Sequence, residues 1–595
     1  MTERYIPTGN EMISLPQINE ATAGIESITY LSMQHKGMIE IRGSSDAPLI
    51  KPFVEINGTE FELTDISVHR DHYWIPVFKA KVGNCGLEMT VLTPIKERGF
   101  AVKLAVTGDE AADITWGLCG CWESSLHCVN ENKKIEGTSH CFKSFWNDSL
   151  IFEMHCGTPM FSFAPICAQK TDASFSIDRS TVNYKLSRTD KLIPNTRKEL
   201  IFYWGLGYEE VAAATSAKEI LRRGWNMEYD RTSKWLDSRA SLMPTPKLTE
   251  IYNQNLFFCI FYSTGITLDT EELVCATSRS SRYYVSAAYW DRDVLLWSFP
   301  AILDADTDLA KEILLYVFGR QRKNIGTHSR YIDGTVLEPG FELDELVSPV
   351  IALERYVGRT NDTLILENHN VLDGIDLILK TLRSVRHPEI ALYETFLQPT
   401  DDEIEYPYLT YNNVLVRYAL DALSSLYPQK YGILSKEADS IERAIYEHCT
   451  FENSDGKVMF AWSVDLEGHH NVYDEPPGSL QLLPYYNFCR RDSQIWADTV
   501  SVIRSPDYKY SFAGYPIAEI GCDHAPYPWI LSLCNSMLCG HEAQALIELE
   551  LLKMDNGIAC ESVDPVTGVC MTGAAFATCA GFLCHSMKTA TENSD

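Results

Sequence analysis

The sequence predicts a multidomain β + α protein, an N-terminal antiparallel β-sandwich followed by an (α/α)6 barrel. Three observations carry this. Residues 1 to about 215 alternate between apolar and polar side chains with breaks at turn residues, the texture of antiparallel strands. From about residue 245 onward apolar residues recur at helical spacing instead. That second half has room for about twelve helices of average length with their loops, and it lacks the fixed-period repeat that an α-solenoid needs. A chain of 595 residues, 45% of them hydrophobic, can fill more than one core.

In chain order, Phe53–Leu63 alternates on both sides of Asn57-Gly58, a two-residue hairpin signal. Trp74–Val82 and Phe100–Val106 continue the strand pattern, and strands spaced by turns over this length suggest a large sandwich at residues 1–215. Ser216–Arg239 turns helical and charged, giving a helical linker at 216–244. Residues 245–595 then carry helical periodicity at Leu248–Thr264, Asp308–Phe318, Val347–Tyr356, Tyr411–Leu426, Lys436–His448, Ile530–Leu538 and Glu542–Lys553. The loops between are irregular and rich in Gly, Pro, Tyr and Asp, which favours an enzyme bowl over a repeat scaffold.

Charge narrows the partners. With 81 acidic and 51 basic residues the formal net charge is −30, so nucleic acid and anionic membrane are disfavoured, since both need a basic face. Aromatic residues make up 11% of the chain, with 30 Tyr and 12 Trp. Such rings serve sugar sites as flat apolar platforms and serve large cores equally well. The segment Met1–Pro7 has no apolar signal core, and no run of about 18 apolar residues occurs to span a membrane. The 18 cysteines, without an export signal, point to reduced thiols and a cytoplasmic location. Cys119, Cys121, Cys128 and Cys141 match no standard zinc spacing and fit buried strand positions, so no metal is expected. Homo-oligomerisation is left open.

Five segments of the helical half carry unusual chemistry. In Trp290-Asp291-Arg292-Asp293 an arginine between two acids can orient a carboxylate toward sugar hydroxyls beside an apolar ring; a salt bridge at a helix start is the plainer alternative. Glu342-Leu343-Asp344-Glu345 places three acids at a loop-to-helix junction. A helix cap with acids in its first turn explains them structurally, and a carboxylate facing a cleft explains them chemically. Tyr473-Asp474-Glu475 precedes a rigid Pro-Pro-Gly turn. His524 lies in a loop leading to Trp529, where it could meet a substrate hydroxyl. Glu561 sits among apolar residues on an extended stretch before the last helix. Glycoside hydrolysis needs two carboxyl groups flanking the scissile bond, one protonated and one ionised, and a toroid of helical hairpins collects such loops at one end.

Together the segments resemble glycoside hydrolase family 125, the metal-independent exo-α-mannosidases. Trp290-Asp291-Arg292-Asp293 is similar to that family's Trp-x-Arg-Asp element. Glu342-Leu343-Asp344-Glu345-Leu346, with Pro349, Tyr356 and Thr360-Asn361-Asp362, resembles its Glu-Leu-Asp-Ser-Leu segment and Tyr…Thr-Gly-Asp tail. Ser479-Leu480 with Leu483-Pro484-Tyr485, Ser505-Pro506 with Ile520-Gly521 and His524, and Glu561-Ser562 with Phe576-Ala577 follow in the family's order. The resemblance implies an inverting hydrolase of α-linked oligosaccharides that needs no metal or other cofactor. Asp344 would be the general acid, its proton held by burial or by its acidic neighbours, and Glu561 the general base. Trp290, Asp291, Arg292, Asp293 and Glu342 would hold the non-reducing sugar, with His524 and Trp529 as further contacts. An inverting pair should stand about 6.5–9.5 Å apart to admit the attacking water. The sequence departs from the family at Cys560, where a histidine is expected before the base, and at Thr578-Cys579-Ala580. The long β-rich front looks more like bacterial glucoamylases and disaccharide phosphorylases, so a glucoamylase-like α-glucosidase, a phosphorylase and a non-catalytic glycan-binding protein stand as alternatives.

Overall fold

The computed structural model describes residues 4–44 and 47–592; the first three residues of the Met1–Pro7 segment lie outside them. The chain divides into two compact units. The first comprises residues 1–240 with the short segments 264–272 and 279–287, and the second comprises 241–263, 273–278 and 288–595.

The first unit is antiparallel sheet throughout its main body. Its strands form sheets of six, eight and five strands. Side chains from all three meet in one apolar core that includes Ile39, Trp116, Phe152 and Trp204. The expected hairpin is present: Lys51–Ile56 pairs with Thr59–Phe61. Asn57 and Gly58 turn it with φ of 51° and 81°, the left-handed backbone that an Asn-Gly hairpin turn requires. Trp74–Val82 folds as the strand Ile75–Val82, and Phe100–Val106 lies within Gly99–Gly108. Of the four clustered cysteines, Cys121, Cys128 and Cys141 are buried on strands while Cys119 is half-buried. The predicted connecting helix is two helices, Glu210–Arg223 and Trp225–Asp237. Gly224 separates them at φ 81°, ψ 161°, a backbone that no helix continues through. The segment 264–272 joins this unit by backbone bonds, Ile266 N–H to Glu11 O (2.7 Å) and Leu268 N–H to Leu31 O (2.8 Å). Periodicity could not show that, because the segment follows a buried helix directly.

The second unit is helical, with short hairpins between helices. Each expected helix forms, and His369–Ser384, Gln494–Ile503 and Ala577–Glu592 add to them. Ala577–Glu592 is apolar on most sides, so it lacks the stripe that reveals a surface helix. One helix begins earlier than its pattern suggests: Leu343–Thr360 starts four residues before Val347. Asp344 and Glu345 therefore lie inside its first turn. Glu342 takes the cap position but makes no side-chain capping bond, because its carboxylate is engaged elsewhere. The same helix ends at Asn361 with φ 57°, a left-handed cap that asparagine tolerates. Among the described residues no helix is long and apolar enough to cross a membrane, and all 18 cysteines are free thiols.

Candidate active site

Arg292 begins a π-helical stretch, Arg292–Ser298, that runs into the helix Phe299–Ala305. Its widened turn is closed by the Phe299 N–H on Val294 O, five residues back. Such bulges reposition side chains and are frequent at functional sites. The stretch packs against Ala577–Glu592 at Gly581, where an added Cβ would lie 2.6 Å from Ser298 Cα and 2.7 Å from Cys259 Sγ. Any larger residue would push the arginine-bearing turn away.

The guanidinium of Arg292 is fully buried and works as a hub. Nη1 donates to Glu342 and, at 3.0 Å, to Asp344 Oδ2, while Nη2 donates to Asp401 Oδ1 at 2.5 Å. Glu342 also pairs with His328 Nδ1. Glu345 accepts the backbone N–H groups of Asp291 and Arg292, the latter at 3.0 Å. It thus caps the neighbouring helix start from across the unit, where the positive end of the helix favours an acid. Asp291 takes the Tyr289 hydroxyl at 2.5 Å and the Arg330 guanidinium. Both its oxygens are engaged, so this acid forms a salt bridge at a helix start without capping the helix itself. Asp293 accepts the Thr578 hydroxyl at 2.9 Å, and Asn412 Nδ2 stands 3.4 Å from Asp344 Oδ1. Trp290 sets its ring edge-to-face with His328 at 5.6 Å.

Burial disfavours charge on three acids of this cluster. It raises Glu342, with Arg292 opposing it, and raises Glu345 well above the carboxylate range. Burial pushes Asp293 up to about 7. His328 also rises: desolvation works against its cation, but Glu342 and Asp401 outweigh it. Among the described residues, His328, Glu342 and Asp401 are the one His/acid group close enough to hold a metal, with ligand atoms within 4.8 Å. Arg292 already donates to both of those acids, so the protein itself supplies positive charge there.

Backbone bonds fix the strand that carries Glu561. Its N–H donates to Gly573 O (3.2 Å) and its carbonyl accepts from Ile530 N–H (3.0 Å). Ser562–Val563 pairs with Cys570–Thr572. The side chain is 3% exposed, and His524 Nε2 stands 4.0 Å from Oε1. His524 Nδ1 faces Asp402 Oδ2 at 3.4 Å. Trp529 is buried, gives its indole N–H to Ala525 O at 2.9 Å, and turns its ring edge to His524 at 6.2 Å.

The turn carrying Asp401 and Asp402 connects these groups and was not legible as functional in the sequence. Thr400 is pinned by Glu475, which accepts its N–H at 2.9 Å and its hydroxyl at 2.8 Å. Asp401 has φ 69°, a left-handed conformation that aspartate tolerates. Pro399-Thr400-Asp401-Asp402 reads as an ordinary acidic turn, and only its contacts distinguish it. His328, Arg330 and Asn412 were likewise unmarked, since each sits in a stretch with no motif. The loop Tyr473-Asp474-Glu475 did stand out, and its two acids are fully buried: Asp474 accepts the Ser479 hydroxyl (2.6 Å) and the Leu480 N–H (2.7 Å).

Residues 386–587 match the model of the metal-independent alpha-mannosidases, glycoside hydrolase family 125. The match bears out the resemblance read from the sequence, and the helical half is a glycoside hydrolase domain acting on α-linked sugars. It takes in Glu561, His524, Trp529 and the 400–402 turn, and it begins after Asp344. Among solved structures, a Streptococcus pneumoniae metal-independent α-mannosidase in complex with alpha-1,6-mannobiose is 18% identical, with a TM-score of 0.52 over 58% of this chain and 94% of its own. A bacterial glucoamylase complexed with acarbose is 12% identical, with a TM-score of 0.67 over 98% of this chain and 94% of its own. A putative kojibiose phosphorylase from human microbiome, also 12% identical, gives 0.63 over 98% and 86%. The chain therefore shares its two-part fold with a glucoamylase and a phosphorylase. No curated protein matches the sequence.

Proposed function

We propose that this chain is an exo-acting, inverting α-glycosidase built on an (α/α)6 barrel, with α-linked mannose at the non-reducing end as its substrate. Asp344 protonates the departing oxygen, and Glu561 takes a proton from the water that attacks the opposite face of the sugar. One observation carries this reading. The family match covers the segment bearing Glu561, and a chain of contacts runs from Glu561 through His524 and Asp402 to the adjoining Asp401, then through Arg292 to Asp344. Carboxylates 217 positions apart in sequence thus belong to one cluster.

Three buried polar atoms in and beside the cluster, Trp290 Nε1, Arg292 Nε and Asn412 Oδ1, have no hydrogen-bond partner among the described residues. Buried polar groups need partners, and sugar hydroxyls would supply them. A reducing, cytoplasmic setting suits 18 free thiols.

Asp344→Asn should abolish most turnover of an α-linked disaccharide and spare more of it on an activated aryl α-mannoside, whose leaving group needs no proton. Full activity of that variant on the disaccharide would refute the acid assignment. NMR of the first-formed sugar should show inverted anomeric configuration; a retained product would remove Glu561 as base. The likeness to a phosphorylase makes phosphate the control: turnover that depends on phosphate would replace hydrolysis with phosphorolysis.

A further inference from the structure

We propose that Asp402 and His524 form a positioning pair for Glu561: Asp402 fixes the imidazole, and the imidazolium restrains the base carboxylate from 4.0 Å. The proposal rests on the reading of Glu561 as general base. It assigns His524 to the base rather than to the sugar, and gives a role to Asp402, which no motif marks.

The geometry supports a directed pair. The two ring nitrogens face different acids, Nδ1 toward Asp402 at 3.4 Å and Nε2 toward Glu561 at 4.0 Å. The Trp529 ring edge lies against the imidazole, and the indole is itself tied to Ala525 O, which limits rotation of the histidine. Asp402 is the end of the turn that Glu475 clamps through Thr400. With Asp401 in a left-handed conformation, successive side chains of that turn serve different partners, Asp401 on Arg292 and Asp402 on His524. A distance of 4.0 Å lies beyond the 2.7–3.2 Å of a hydrogen bond. This contact therefore restrains the carboxylate by charge without consuming a lone pair needed to accept a proton from water.

The charges that act most on His524 are those of Asp402, Glu561 and Asp401, all acidic. Contact with Asp402 and the charge of Glu561 hold the imidazole above its usual pKa despite desolvation. Asp402 is correspondingly lowered by His524. The pair is thus charged below the raised pKa of His524 and loses its cation as pH rises through it.

The test is the pH dependence of kcat and KM on an aryl α-mannoside for the parent, His524→Gln, Asp402→Asn and Glu561→Gln. His524→Gln should lose kcat roughly tenfold, the equivalent of about one pKa unit of charge interaction, with KM little changed. Asp402→Asn should begin its alkaline decline at lower pH than the parent, because the imidazolium has lost its first partner. The contribution of the general acid is the same in both proteins, so the difference isolates the imidazole. Asp402 is half exposed, and Asp402→Ser provides the same readout should the first variant fail to fold. A raised KM with unchanged kcat in His524→Gln would make His524 a sugar contact and overturn the pair. An alkaline limb in Asp402→Asn that coincides with the parent's would overturn it too, since a purely structural role leaves the limb in place. Parental turnover in Glu561→Gln would instead overturn the base assignment, which separates the two failures.

Discussion

The two candidate carboxylates are supported in contrasting ways. Asp344 sits in a dense charged network: one buried guanidinium, Arg292, serves Glu342, Asp344 and Asp401, and a second acid, Glu345, holds the backbone on which that arginine stands. Glu561 stands on a backbone mount. Backbone bonds from Gly573 and Ile530 fix its strand, and one histidine faces its side chain at 4.0 Å. The difference is one of support: surrounding partners orient the carboxyl group of Asp344, whereas Glu561 stands on a rigid backbone mount.

Substitutions can break this contrast, beginning with the hub. Arg292→Met leaves Glu342, Asp344 and Asp401 without their shared cation. It should cost about 3–5 kcal/mol, the usual penalty for breaking a buried ion pair from one side, and the loss should shrink at low pH as the acids take up protons. Thermal denaturation across pH checks this; a melting curve equal to the parent's would show that Arg292 is not the hub. Glu561→Gln marks the opposite extreme. It should lose at least about a hundredfold in kcat, as for removal of a general base, with a smaller shift in melting temperature than Arg292→Met, because backbone bonds fix its strand. A large drop in stability there would erase the distinction between the two mounts.

Glu345→Gln is a finer test. The amide keeps one acceptor but sets its NH2 group against the second of the two backbone N–H groups that Glu345 receives, so stability should fall by about 1–2 kcal/mol. Because the loosened backbone carries Arg292, kcat should fall as well; unchanged kcat would separate the helix cap from the hub. A pH-dependent effect is expected at Asp474, whose carboxyl burial raises to about 7 from 3.8. Between those values the native state keeps a proton that the unfolded chain has lost, so this group's contribution to stability falls as pH rises through that window and is constant above it. Asp474→Asn should therefore gain on the parent between about pH 4 and about pH 7 in denaturant unfolding. A pH-independent difference would show that Asp474 is charged in the fold.

Much of this was legible locally. The Asn57-Gly58 hairpin is announced by its own two residues, and long amphipathic helices such as Leu434–His448 follow from spacing alone. Trp290-Asp291-Arg292-Asp293, Asp344 and Glu561 were visible because acids among apolar residues are costly unless paired or used. The roles within each cluster were not visible. Nothing in Glu342-Leu343-Asp344-Glu345 tells that Glu342 meets His328 or that Glu345 caps a distant helix start, because those partners lie 14 and 54 positions away. The Thr400–Asp402 turn was missed for the same reason, since its residues are ordinary and its partners are remote.

By itself the sequence determined the division into a sheet-rich front and a helical half, the segments bearing the two candidate carboxylates, and the acidic net charge. These follow from periodicity, turn chemistry and composition, which act over neighbouring residues or over the whole chain. Only the tertiary structure decided that Arg292 is shared among three acids, that Asp291 is consumed by Tyr289 and Arg330, and that one acidic turn touches the supports of both carboxylates. Those are through-space pairings of buried charge, strong only where burial removes water, and burial is a property of the folded chain rather than of any stretch of it.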